Sequence, residues 1–479
     1  MEKQFLTYEE FGAKGDGKSN DLPAIVLCHE EANKCGLPVM ANPEATYYLG
    51  GNNITAIIKT DTDFGTAKFI IDDRNVEDRN AKIFRIQADG EVFTPDIKTL
   101  AKGQTKMENP YGAKVFMRIF YSGKKRFIRK GANMNNGADT SDCIVVDKDG
   151  TILTSVDWDY PEITSACAKM VDDTPITVKG GIFTTIVNQA ESFYTYYGRG
   201  IMIERANVKI SGITHYVEGE IDHGAPYSGF LHFDLAYNVD VEDCLLTPHF
   251  IYYTPSKIPG QMVPMGSYDI NVNACVDIHF RRITQTIDIN DKNYWGIYGS
   301  NFTKNILLED CNLSRYDAHQ GVSGLTIKNC VFGHQGVSII GYGDAYVENT
   351  HVYGRVFFNI RGDYGSVWFG NIIAKNCELT PTFDDYYIVA AHNPGDHDFG
   401  YTTKMADSIV LDGFTIHNEG FSATPYVFNN YTNSPITDCP FPYILPDKVT
   451  VKNMKSANGK EFEIAPNPEL FAKVTIENN

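Results

Sequence analysis

The chain has 479 residues, of which 43 % are hydrophobic, with 28 Tyr and 28 Phe and a formal charge of −18. Such a composition excludes disorder, and the length suits a solenoid, whose core grows with the chain, better than one compact core. The acidity weighs against nucleic acid and anionic membranes as partners and mildly against a strongly polyanionic substrate, and no run approaches ~18 apolar residues, so no membrane span is expected.

Met1-Glu2-Lys3-Gln4-Phe5 leads almost at once into Phe11-Gly12-Ala13-Lys14-Gly15-Asp16-Gly17, leaving no room for a signal peptide. A cytoplasmic protein or a mature secreted form is the expectation. Asp21 then caps the run Leu22 to Asn33, in which Ile25, Cys28, His29 and Ala32 recur at helical spacing and Gly36 is the stop. Residues 1–60 read as this N-terminal cap and the first rungs. Residues 61–185 read as an inserted β-rich subdomain, in which Lys114 to Phe120, Arg126 to Arg129 and Asp142 to Asp147 form hairpin strands and Asp149-Gly150 a turn. Residues 186–479 carry a repeating pattern, and the tail after Ser456 closes it.

The repeat alternates apolar and polar residues, then places Asn or Asp, then a small or soft residue. It appears as Val239-Asp240-Val241 before Asp243-Cys244, Ile306-Leu307-Leu308 before Asp310-Cys311, and Leu325-Thr326-Ile327 before Asn329-Cys330. It returns at Tyr346-Val347 before Asn349, Ile373 before Asn376-Cys377, and Val449-Thr450-Val451 before Asn453. Period-2 alternation specifies strands, and recurrence at roughly 19 to 41 residues specifies a solenoid with loops of unequal length. Asn329, Asn349 and Asn376 are expected to form an asparagine ladder inside a turn. Cys244, Cys311, Cys330 and Cys377, at one template position, are expected to stack in the interior as free thiols, which favours a reduced compartment. No Cys-x-x-Cys and no Cys/His spacing of a zinc site occurs, so neither metal nor cofactor is expected.

The N-terminal motif and the repeat together resemble the pectate-lyase-like superfamily of carbohydrate-active proteins. The resemblance implies an all-β, right-handed parallel β-helix with an N-terminal capping helix. In such a solenoid the interior is filled, so chemistry belongs on an outer face or in loops between rungs.

Three segments concentrate polar and aromatic residues there. One is the Thr214 to Tyr227 loop with Glu220 and His223. The second runs from Trp295 through Arg315-Tyr316-Asp317-Ala318-His319 to His334. The third is Arg361-Gly362-Asp363-Tyr364. Paired carboxylates with aromatic platforms suit glycan chemistry, because one carboxyl donates a proton while the other acts as base. Asp317, His319, Asp363 and Asp288 are the catalytic candidates. Arg315, Tyr316, His334, Arg361, Tyr364, Trp295, Glu220 and His223 are the candidates for substrate contact. Each also has a plain structural reading, as a turn residue, a hydrogen-bonded histidine or a packed aromatic.

Tyr316-Asp317-Ala318-His319 is similar to the Tyr and Asp-Pro-His core of mannuronan C5-epimerases, where these residue types surround the sugar C5 proton. Gly333-His334-Gln335-Gly336-Val337-Ser338-Ile339 resembles a stretch of polygalacturonase-type glycoside hydrolases. The leading expectation is a glycan-active enzyme of the hydrolase type acting on an oligo- or polysaccharide. A polysaccharide lyase or uronate C5-epimerase is the alternative, with Tyr316 or His319 on the proton and Arg315 or Arg361 on a uronate carboxylate. A tailspike-like or adhesin solenoid that only binds glycan is the third reading. The oligomeric state is left open.

Overall fold

An inward apolar residue every second position lets a strand bury one stripe against the strands of the coils above and below. The computed structural model describes residues 3–190, 196–220, 227, 229–392, 401–430, 443–468 and 475–476, and it is a right-handed parallel β-helix. Among the described residues, 32 strands join in one continuous parallel sheet system. A coil is three strand segments; Gly341–Glu348, His351–Gly354 and Val356–Ile360 make one.

The register is consistent from rung to rung. Ile176, Val208, Val239, Ile278, Ile306, Leu325, Ala345, Ile372, Ile409 and Val449 pair successively and form one buried column. Val178, Ile210, Val241, Phe280, Leu308, Ile327, Val347, Ala374, Leu411 and Val451 form the next, two residues along. Aromatics add stacked contacts near the N-terminal end, where the rings of Phe69 and Phe183 lie 4.7 Å apart.

The Asn/Asp template position is a left-handed corner. Asp243, Asp310, Asn329, Asn349, Asn376 and Asn453 all have φ between 48° and 56°. Asn and Asp tolerate this conformation better than other non-glycine residues. The corner N–H groups of Asp243, Asp310, Asn329, Asn349 and Asn376 donate to the next coil, as Asn329 N does to Glu348 O at 3.0 Å. The expected ladder is different in one respect: the three Asn side chains lie on the exposed outside of the corner, and Asn349 bonds Asn329 at 3.1 Å. The following position is interior, and Cys244, Cys311, Cys330 and Cys377 are buried free thiols there.

At the N-terminus, the helix Leu22–Cys35 covers the first coil and ends at Gly36, whose φ of 70° allows its N–H to reach Ala32 O at 2.8 Å. Asp21 does not cap this helix through its side chain. Its carboxylate accepts from Lys14 N at 2.6 Å and Gly15 N at 3.1 Å, pinning the preceding turn.

The insertion is shorter than the 61–185 expected. Thr62–Asp72, Phe84–Gln87 and Ile176–Ile186 belong to the parallel helix, since Thr62–Asp72 pairs with Ile176–Ile186 and Phe84–Gln87 with Ile201–Glu204. Between them, Val115–Arg126, Ala138–Val146 and Ser165–Met170 form a separate antiparallel sheet. One face of it has its own core, including Met117, Ile144 and Trp158, extended onto Tyr342 and Phe369. The other face packs Phe116, Cys143 and Val145 against Ala206, Ala274 and Val276 of the solenoid. Buried Lys304 fixes the two parts together, 2.5 Å from Asp142 and 2.7 Å from Asp157.

Candidate functional site

Period-2 alternation decides which residues of the Asn312–Lys328 strand can share a site. Tyr316 and Ala318 point into the core, where Tyr316 stacks on Tyr298 with centroids 5.0 Å apart. Arg315, Asp317 and His319 point outward. Their rung neighbours continue the polar row: Asp317 pairs with Ser338, Ser338 with Asn359, and one coil earlier Asn271 pairs with Gly299. These residues line a cavity of about 560 Å³, whose walls include Tyr268, Trp295, Asn301, Arg361, Asp363 and Arg129.

Two glycines make room for aromatic walls. A Cβ on Gly299 would lie 2.5 Å from the Tyr268 ring, and one on Gly266 would lie 2.0 Å from Trp295. Tyr268 therefore reaches across the strand and donates its hydroxyl to Asp317 Oδ2. Asp317 also accepts from Arg315 Nη2 and from Arg361 Nη1, each at 2.8 Å. Arg361 continues to Asp363 at 2.9 Å, and Arg129, delivered by the insertion, reaches the same carboxylate at 2.7 Å.

The electrostatics follow from this arrangement. Burial pushes the Asp317 carboxyl upward, but Arg315 and Arg361 outweigh it and hold the group well below the usual carboxylate range. Asp363 is held low in the same way by Arg361 and Arg129 against burial. Both carboxylates are ionised and saturated with guanidinium donors. They orient cations rather than hold a metal or give up a proton.

His319 also lines the cavity and carries no charge. Burial, reinforced by Arg361, lowers it to about 4, so it is neutral at pH 7. Its Nδ1 lies 3.0 Å from Asn301 Oδ1, an acceptor, which places the proton on Nδ1 and leaves the Nε2 lone pair as the base. Arg315 is 6 % exposed, and its Nε and Nη1 have no protein partner. Its guanidinium lies 4.6 Å over the Trp295 ring, so that face is occupied by the cation.

Of the sequence candidates, Asp317, His319, Asp363, Arg315, Arg361 and Trp295 thus meet at one cavity. The others do not. Tyr316 is a core residue, as strand alternation beside an outward Asp317 requires. Tyr364 is fully buried with Phe127 and Ile340, under the guanidinium groups of Arg129 and Arg361. Asp288 is exposed and closes its own turn by accepting from Asn290 N at 2.9 Å. His334 is tied to Ile289 O at 3.1 Å, away from the cavity. Glu220 belongs to a different buried cluster, 3.3 Å from His249. His223 lies outside the described residues. Sequence reasoning missed Tyr268, Asn301 and Arg129. Tyr268 lies in the short connection before the strand Ile270–Asn273, Asn301 in a plain strand, and Arg129 in the insertion, so no local motif marks them.

No protein-family model matches the chain. Among solved structures, the tailspike gp49 of Pseudomonas phage LKA1 aligns over 98 % of this chain and 84 % of its own, with TM-score 0.58 and 13 % identity. The tailspike gp61 of Pseudomonas phage phi297 aligns over 95 % and 81 %, with TM-score 0.55 and 11 % identity. The fold is that of the phage tailspike β-helices. A third of this type, the gp54 tailspike of Acinetobacter baumannii phage AP22 in complex with A. baumannii capsular saccharide, aligns over 98 % and 79 %, with TM-score 0.51 and 10 % identity. In sequence, 139 residues are 28 % identical to a capsule KL64-specific depolymerase of Klebsiella phage P510. That match covers 26 % of this chain and 13 % of the relative's length.

Proposed function

We propose that the protein depolymerises an acidic polysaccharide of the capsular type, and that it does so by β-elimination at the Asp317 cavity. The observation that carries this reading is Arg315, a guanidinium in the cavity wall whose Nε and Nη1 are buried without a protein partner, beside a neutral imidazole. Three guanidinium groups, of Arg315, Arg361 and Arg129, share the two carboxylates of Asp317 and Asp363, so one positive charge is left over and calls for an anion such as a uronate carboxylate. The local cluster of Arg315, Arg361 and Arg129 offsets an overall charge that disfavours polyanions. The kinship to a capsule depolymerase supports the substrate class.

In the proposed reaction, Arg315 neutralises the uronate carboxylate, which makes the C5 proton more acidic. His319 Nε2 takes that proton, the C4–C5 double bond forms, and the C4–O bond breaks. The departing oxygen receives a proton from His319 or solvent. Asp317 holds Arg315 and Arg361 in place without titrating. Hydrolysis by paired carboxyls needs one carboxyl protonated at working pH, and the two at this cavity are held ionised by arginines.

Digestion of a panel of capsular and uronate-bearing polysaccharides tests the reading. Products carrying the ultraviolet absorbance of an unsaturated uronate, abolished in His319→Asn, support it. New reducing ends without that absorbance overturn elimination in favour of hydrolysis. Retention of glycan with no product overturns the enzymatic reading in favour of a binding solenoid.

A further inference from the structure

On the outer face of the C-terminal coils, at residues that do not line the cavity, three side chains from three successive rungs converge. His351 pairs with Glu378 in register, and His417 N donates to Leu379 O at 2.9 Å, which sets His417 on the rung after Glu378. Adjacent rungs lie about 4.8 Å apart, so same-facing side chains reach one another. Glu378 Oε2 is 2.7 Å from His417 Nε2 and 3.8 Å from His351 Nδ1. One ligand atom from each residue falls within a 4.8 Å span.

We infer that His351, Glu378 and His417 form a divalent transition-metal site, with zinc the metal that suits the donor set. Two imidazoles and one carboxylate are borderline ligands that favour zinc over magnesium or calcium. Tetrahedral bonds of about 2.0–2.2 Å put neighbouring ligand atoms roughly 3.3–3.6 Å apart, between the two separations above. Closing the site needs rotamer adjustment of partly exposed side chains that already lie within a 4.8 Å span.

A second feature points the same way. His351 Nε2 is hydrogen-bonded to Thr380 Oγ1 at 2.8 Å, and the His351 ring stacks on Tyr353 with centroids 4.2 Å apart. In the tautomer whose Nε2–H donates to the Thr380 hydroxyl, the Nδ1 lone pair faces Glu378. A metal-ligating histidine is held in this manner, its other nitrogen committed to an oxygen that fixes tautomer and ring plane. The donors are 27 and 39 residues apart in sequence, so no zinc-type spacing announces them. A bound ion ties three coils together at the point where the solenoid is otherwise held by backbone bonds and its interior stripe.

The test uses the full chain, freed of metal with EDTA and dialysed. Isothermal titration with zinc chloride is expected to show one site, with the unfolding temperature rising as zinc increases above the dissociation constant. Magnesium chloride is expected to do neither. Cobalt(II) is expected to give intense visible absorption of low-coordinate geometry without a thiolate charge-transfer band. Glu378→Gln and His417→Asn, both at accessible positions, are each expected to weaken zinc binding at least tenfold and to remove the thermal shift. Absence of zinc binding by the wild-type chain overturns the inference, and so does binding that persists unchanged in both variants.

Discussion

Asp317 and Arg315 divide the work at the cavity between holding and binding. The carboxylate is buried with three donors on it, and two of them are guanidinium groups whose charge stays behind if the acid is removed. Breaking a buried pair from one side costs more than the pair itself contributes. Asp317→Asn is therefore expected to lose stability, by about 3 kcal/mol, together with activity, measured by denaturant unfolding and by product formation. Arg315→Lys separates the two effects. It keeps the charge on Asp317 but loses the planar fork and its free donors. The expected outcome is a small change in unfolding temperature and a fall in kcat/KM on an acidic glycan of tenfold or more. His319→Asn is expected to lower kcat by about 10²- to 10⁴-fold. In the wild type, kcat/KM is expected to rise with pH through about 4, where burial places the His319 pKa, and then to level off. A profile that instead falls as pH rises through the carboxylate range indicates a protonated carboxyl as the working acid.

The repeating strand and its corner were legible because each template residue answers a separate physical demand. Inward Val, Ile and Leu fill the stripe, Asn or Asp takes the left-handed corner, and Cys fits the narrow interior position after it. Where the spacing was read loosely the anchors moved by a residue: the inward residues are Ala345 and Val347, and Ile372 and Ala374, rather than Tyr346 or Ile373. The site was less legible because it is assembled across rungs. The same alternation that identified the strand also excludes Tyr316 as a partner of Asp317, whereas Tyr268 reaches it from a neighbouring coil over Gly299. The corner gives a direct check. Asn329 has φ 52°, and replacing it with Val places a β-branched residue in a left-handed conformation at a cost of about 1–2 kcal/mol or more. Asn329→Gly, which is free to adopt that φ, is expected to be nearly neutral. Chemical denaturation of the two variants side by side reads the difference.

At the scale of the molecule, ionisable groups buried along the solenoid set opposing pH limits on stability. His29, His232 and His319 are kept neutral by burial, which lowers them to about 3, 4 and 4. The unfolded chain binds those protons near the ordinary pH of about 6.5, so stability falls as pH drops below that value. His249 acts in the other direction. Burial disfavours its charge, but Glu220 and Asp269, at 3.3 and 3.4 Å, overcome it and raise the imidazole to about 10. A group raised on folding contributes fully below its unfolded pKa and loses that contribution as pH rises toward the folded one. Lys82, lowered to about 8 by burial, contributes with the opposite sign above that pH. Asp142, raised to about 7 by burial, loses stability as pH rises to that value, so the interval from about pH 7 to 8 is where His249 dominates the slope. Unfolding temperature is expected to decline across it in the wild type. His249→Gln is expected to unfold earlier at pH 7, because Glu220 and Asp269 lose their cation, yet to show a flatter dependence up to pH 8. Equal slopes in the two proteins would assign the alkaline loss to other groups and leave the Glu220–His249–Asp269 cluster without its cation.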